Sequence, residues 1–236
     1  MDDLLRRWQY GWGLCRGLAP AVDRPLALDV TLGLPHRDRE LFALPGTTPT
    51  PLIDEVLHAP RPTWLTVTTQ EPEQVAAELR STGLELFPEQ KLLMTIDLRK
   101  HPRPMTHHEV LISAEGPLDR ARIAAWREDP AAESGGRDGD GVKGGGRDGS
   151  GTEAGAKDAA RGMMAVVGAD AVMHDIHTDP AYRRQGLGSI VMGALAERAI
   201  KRGATTGLLM ATVEGAALYR KLGWVLQATM LTAKAA

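Results

Sequence analysis

Apolar residues at the front of the chain recur at helical spacing. Leu4, Leu5, Trp8, Trp12 and Cys15 share one side, with Asp2 or Asp3 as the cap. The period then falls to two. Leu26, Leu28, Val30 and Leu32 alternate as in a half-buried strand, and Glu40 to Leu44 reads as a second short strand. Thr50-Pro51 starts a helix through Val56, with proline at a position whose N–H would be unpaired anyway. Trp64 to Thr69 is strand-like, Glu71-Pro72 opens a helix that Gly83 closes, and Lys91 to Leu98 is another strand. His101 to Pro104, with prolines at 102 and 104, reads as a linker.

Strands and helices alternate again further on. Met163 to Val167 and Ala171 to Thr178 read as strands separated by Gly168-Ala169-Asp170. Gly188 to Lys201 is a strong helix: Leu187, Val191, Ala194, Leu195 and Ala199 line one side, Lys201 and Arg202 sit at its negative end, and Gly203 stops it. Thr206 to Thr212 is a strand, Glu214 to Leu222 a helix ended by Gly223, and Trp224 to Leu231 a last strand. Glu73 to Gly83 and Val213 to Gly223 echo each other. Ala76, Ala77, Arg80 and Gly83 fall opposite Ala216, Ala217, Arg220 and Gly223, and each segment lies between two strands. Leu79 stands where the second copy has Tyr219.

From Glu133 to Lys157 the pattern disappears. Gly, Asp, Arg, Ser and Lys dominate, and too little apolar surface is present to offset ordering entropy, so a disordered insertion is expected at about 131–158. Asp138, Asp140, Asp148 and Asp158 offset Arg137, Lys143, Arg147 and Lys157, which argues against a nucleic-acid arm. The whole chain, 236 residues with formal net charge -2, offers no general attraction to nucleic acid or anionic lipid. It has no apolar run of membrane-span length and no basic leader, and Cys15 is its single cysteine, so a cytoplasmic protein is expected. No metal is expected either. His107-His108 lacks carboxylate or cysteine partners at ligand spacing and reads as part of a linker.

The strongest chemical signal is Asp179-Pro180-Ala181-Tyr182-Arg183-Arg184-Gln185-Gly186-Leu187-Gly188, placed between a strand and a helix. A helix start carries unpaired N–H groups and the positive end of the macrodipole, so it can hold a diphosphate. Gly186 and Gly188 let phosphates approach the main chain, and Arg183 and Arg184 add charge. The third glycine of a dinucleotide fingerprint is missing, as is the Lys-Ser or Lys-Thr of a nucleotide P-loop.

Arg-X-X-Gly-X-Gly in this setting resembles motif A of the GCN5-related N-acetyltransferases, the GNAT family. Ala216 to Trp224 (AlaAlaLeuTyrArgLysLeuGlyTrp) resembles that family's last helix. The likeness covers Met163 to Leu231 well and His107 to Arg127 loosely. It implies an α/β (α+β) acyl-CoA N-acyltransferase fold, a mixed sheet flanked by helices. With the internal echo, it implies tandem halves: a degenerate GNAT-like domain over 1–100 and an acetyltransferase domain over 105–236.

It also implies acetyl-CoA as acyl donor, lying where Ala171 to Thr178 and Thr206 to Thr212 splay apart. Main-chain groups of Ile176, His177 and Thr178 would hold pantetheine and the thioester carbonyl. The amides of Arg184, Gln185, Gly186, Leu187, Gly188 and Ser189, beside Arg183, would hold the pyrophosphate. Tyr219 matches the family's usual general acid. A glutamate that several relatives carry early in the fourth strand is replaced by Ala171-Val172, leaving Asp175 and His177 as candidate bases, with Glu214 a further candidate. A strict period of two puts Met173, Asp175 and His177 on one face and Val172, His174 and Ile176 on the other. Thr212 stands where many relatives have asparagine; it is kept as a cofactor contact.

The expected partners are acetyl-CoA and a small-molecule or peptide amine, with no nucleic acid and no membrane. The N-terminal half would shape the acceptor side or a homodimer contact. Trp8, Trp12 and Trp64 are either core or the lining of an acceptor pocket. The competing class is a non-catalytic acyl-CoA-binding or regulatory module, favoured by the missing glutamate and opposed by Tyr219.

Overall fold

In a computed structural model of the chain, residues 1–126 and 157–236 are described. The first half runs α1 (Asp2–Cys15), β1 (Val22–Asp23), β2 (Ala27–Leu34), β3 (Arg37–Ala43), α2 (Thr50–Leu57), β4 (Thr63–Thr69), α3 (Pro72–Ser81), β5 (Leu84–Leu86) and β6 (Lys91–Asp97). The second runs β7 (Leu111–Glu115), β8 (Leu118–Ala124), β9 (Asp158–Val167), β10 (Asp170–Thr178), α4 (Leu187–Lys201), β11 (Thr206–Thr212), α5 (Ala216–Lys221) and β12 (Val225–Ala235). Short 3₁₀ turns at Leu98–Lys100 and Pro180–Tyr182 complete the elements. The Gly-rich insertion expected at about 131–158 falls outside the described residues up to 156; Asp158 already pairs in β9.

The described strands form one mixed sheet in the order β1-β2-β3-β4-β12-β6-β11-β10-β9-β8-β7, with β5 also on β12. The two halves exchange their last strands. β6 pairs antiparallel with β11 from Thr206↔Asp97 to Thr212↔Lys91. β12 in turn pairs with β4 from Thr229↔Thr69 to Lys234↔Trp64. The two exchanged strands also pair with each other at the centre. The internal echo of the sequence is therefore a structural repeat: β3-α2-β4-α3 corresponds to β10-α4-β11-α5, each with a parallel strand pair across its helix. The glycines that end the echoed segments, Gly83 and Gly223, both have φ of 86°.

Burial follows this topology. On one face, α2 and α3 cover a cluster that includes Leu41, Leu52, Leu65 and Leu79 and takes Leu231 and Ala233 from β12. On the same face, α4 and α5 cover a second cluster that takes Leu92, Met94 and Ile96 from β6. The opposite face belongs to α1, whose Leu5, Trp8 and Trp12 pack on residues from both halves, among them Phe42, Leu93, Val172, Leu208 and Met230. Each end strand thus places alternate residues in different cores, as a period of two requires. Arg7 fastens α1 to the start of β10 through Asp170, at 2.8 Å and 2.5 Å.

Candidate active site

The sheet opens at its C-terminal half. β10 and β11 pair in parallel from Asp170↔Thr206 only as far as Met173↔Leu209, although β10 continues to Thr178 and β11 to Thr212. Beyond that point each strand stays paired on its far side, β10 with β9 and β11 with β6. The facing main-chain groups are thereby free for a ligand, since a paired strand would have none to offer.

A bulge in β10 contributes to this opening and overturns one expectation. Between His174↔Met163 and His177↔Arg161 the strand advances three residues against two on β9, and Asp175 has φ of 48°. The strict alternation therefore breaks. Val172 faces the α1 core, but Ile176 joins the α4 core, where its Cδ1 lies 2.5 Å from the place a Cβ on Gly162 would occupy. His174 and His177 return to one shared side, because their β9 partners Met163 and Arg161 are two residues apart. Burial and the nearby Arg16 push the His174 imidazole below its usual pKa, which favours the neutral ring. Asp175 turns to Arg161 on β9, at 3.0 Å.

Past β10 the chain turns into the loop singled out by sequence. Asp179, buried, accepts from the Ala181 N–H at 3.0 Å and pairs with Lys157 at 2.6 Å. The Tyr182 hydroxyl donates to the Trp126 carbonyl at 2.6 Å. Trp126 and Lys157, on either side of the glycine-rich segment, thus tether the loop; no short-range pattern reveals such distant ties. Arg184 and Gly186 adopt left-handed φ of 68° and 80° before α4 begins at Leu187. No main-chain oxygen among the described residues accepts from the amides of Arg184, Gln185, Gly186, Leu187 or Gly188. Ser189 donates back to the Gly186 carbonyl at 2.9 Å. Arg183 and Arg184 are exposed, and neither has a carboxylate partner among the described residues. The loop therefore concentrates donors and positive charge at one helix start.

The last helix closes the other side. A Cβ on Gly188 would lie 3.2 Å from Leu218 Cδ2 and 3.4 Å from Thr178 Oγ1, so α5, α4 and the end of β10 meet there. Thr212 accepts the Gly215 N–H through Oγ1 at 2.9 Å, fixing the turn into α5. Next to Leu218, Tyr219 is 8% exposed, and burial pushes its phenol up to about 12. The structure thus brings Ile176, His177, Thr178, the 183–189 loop, Thr212 and Tyr219 to one end of the open strand pair. Cys15 lies elsewhere, buried under Val172 with its thiol pushed up to about 12 by desolvation. Among the described residues, no three His, Cys, Asp or Glu side chains cluster as a metal site, and no helix is long and apolar enough to cross a membrane.

Residues 155–224 match the family model described as Acetyltransferase (GNAT) family. A GCN5-related N-acetyltransferase from Kribbella flavida superposes over 100% of this chain and 95% of its own, with TM-score 0.63 and 16% identity. A GCN5-related N-acetyltransferase from Sphaerobacter thermophilus matches over 98% and 90%, with TM-score 0.53 and 10% identity. A tandem GNAT protein from the clavulanic acid biosynthesis pathway matches over 93% and 86%, with TM-score 0.52 and 12% identity. No curated protein matches the chain. At these identities the likeness is one of fold, and it is a fold that supports acyl transfer.

Proposed function

We propose that this chain, whose residues 155–224 match the GNAT acetyltransferase family model, transfers an acetyl group directly from acetyl-CoA to a primary amine. The observation that carries this reading is the end of β10–β11 pairing at Met173↔Leu209, beside a helix start with unpaired amides. Pantetheine lies in the gap against main-chain groups of Ile176, His177 and Thr178. The pyrophosphate takes the 184–188 amides, the Ser189 amide being engaged by the Gly186 carbonyl, with Arg183 and Arg184 alongside and Thr212 at the far wall. A cytoplasmic setting belongs to the same proposal, supported by the proposed donor and by the single, buried Cys15.

The amine must attack as the free base. His177 takes its proton, directly or through water. It is preferred to Asp175, whose carboxylate is engaged by Arg161. The nitrogen adds to the thioester carbonyl, the C–S bond breaks to release coenzyme A as thiolate, and the proton shed by the attacking nitrogen passes through water to that sulfur, giving N-acetyl amine and coenzyme A thiol. A phenol near 12 is a weaker acid than a thiol of about 8.5, so full transfer from Tyr219 to the sulfur is uphill. Tyr219 acts by donating a hydrogen bond to the developing thiolate, an interaction with a charged acceptor of about 1.5–3 kcal/mol. Tyr219→Phe should therefore lower kcat about 10- to 100-fold with coenzyme A affinity unchanged. The check is thioester cleavage against an amine panel, with calorimetry for binding. Tight coenzyme A binding without turnover on any amine would replace this reading with the non-catalytic module.

A further inference from the structure

A cavity of about 460 Å³ lies on the α1 face of the sheet, bordered by both halves of the chain. Its floor is aromatic. Trp8 and Trp12 stack at 5.7 Å, and Phe42 meets both edge-on at 5.8 Å and 5.7 Å. Trp64 and Phe87 stand at its rim, half-buried, with ring centroids 4.4 Å apart. Neither belongs to the three packed cores, so core packing does not explain them. Met210 forms the far wall. It is the first residue of β11 beyond the last pair with β10, so the cavity borders the open gap. His174 lies on this face with Val172, and His177 shares its side.

The charged groups lining the cavity pair with one another, and Arg16, 5.0 Å over the Trp12 ring, adds a positive charge beside Arg37 and Glu40. Glu40, buried, accepts from Arg37 and from Thr66 Oγ1, the latter at 2.5 Å. The Arg37 guanidinium also lies 4.4 Å over the Trp64 ring. Lys91 pairs with Glu89 at 2.8 Å. A ligand carrying a second ammonium group would find no spare carboxylate here and would lose hydration without replacement. A flat, uncharged body would instead displace water from aromatic walls, which is favourable by roughly 25 cal/mol per Å² buried.

We propose that the acceptor is a monoamine with a flat aromatic body, which lies in this cavity against the joined Trp64 and Phe87 rings while its one amino group reaches the open ends of β10 and β11. This deepens the acetyl-transfer reading and rests on it for the fate of the amine, whereas occupancy of the cavity is measured separately. Calorimetry on the full chain with coenzyme A present compares 2-phenylethylamine with 1,4-diaminobutane. The aryl amine should bind saturably, at least tenfold more tightly than the diamine. Trp64→Ala and Phe87→Ala should each weaken it tenfold or more, Trp64→Phe should retain most of the affinity, and coenzyme A binding should stay unchanged in all three. Equal affinity for the two amines overturns the proposal, as does aryl-amine binding indifferent to both alanine variants. Aryl-amine binding through Trp64 with no thioester turnover supports the cavity assignment and removes acetyl transfer. Turnover of diamine unaffected at Trp64 and Phe87 does the reverse.

Discussion

Tyr219 and Cys15 show how burial writes itself into a pH dependence. Both folded-state pKa values are pushed up to about 12, from ordinary values of 10.0 and 9.0. Each raised acid leaves stability intact below its unfolded pKa and removes it as pH rises towards the folded one. The window is therefore pH 9 to about 12 for the thiol and 10 to about 12 for the phenol, at about 4 and 3 kcal/mol respectively. Thermal melts of the wild type should fall steeply across this range. The double variant Cys15→Ala with Tyr219→Phe should flatten that limb, and an unchanged limb would remove both assignments. The place of Tyr219 on the last helix was legible from its neighbours in sequence. Its protonation behaviour was not, because desolvation depends on what the fold stacks against the ring, here Trp224 at 6.2 Å.

Among the elements, β10 departs most from its sequence pattern. Alternation was a sound guide as far as His174, and the bulge at Asp175 reversed it beyond. Gly162 is the physical counterpart on β9: it leaves the space that Ile176 needs after the reversal, with Val191 on α4 also 2.9 Å from a Cβ there. Gly162→Ala should destabilise the protein by about 1–3 kcal/mol through overpacking and weaken coenzyme A binding, because β10 must shift. Adding Ile176→Val removes the nearest clashing atom and should recover half or more of the loss, measured by denaturant titration. A double variant no better than the single one would separate Gly162 from the bulge. β7 and β8 escaped notice for another reason. β7 is exposed throughout, and the buried positions of β8 are Asp119, Ala121 and Ile123, a charge and two apolar residues of unequal size. Asp119 is buried because Arg198 on α4 and Arg202 just past its end meet it at 3.0 Å and 2.5 Å, partners 79 and 83 residues away.

In the molecule as a whole, the exchange of β6 and β12 makes the halves interdependent. A break in the linker near Pro104 leaves each piece holding a strand that completes the other's sheet. Pieces 1–104 and 105–236, expressed together with separate tags, should co-purify and elute as one species at the size of the intact chain. Elution as two independent folded monomers would contradict the exchanged arrangement. Because α1 and its tryptophans face strands from both halves, the aromatic cavity also depends on this union, and neither piece should bind an aromatic amine alone.

Periodicity, caps and stop glycines were enough to place the long helices and most strands, and the glycine-containing loop before α4, because these depend on neighbours a few residues apart. Which strand lies beside which was a different matter. The exchange of β6 and β12, the opening after Met173 and the gathering of Trp8, Trp12 and Trp64 around one cavity are set by contacts between residues far apart in the chain. A strand's own residues record how many of its faces are buried, and not whose backbone it pairs with.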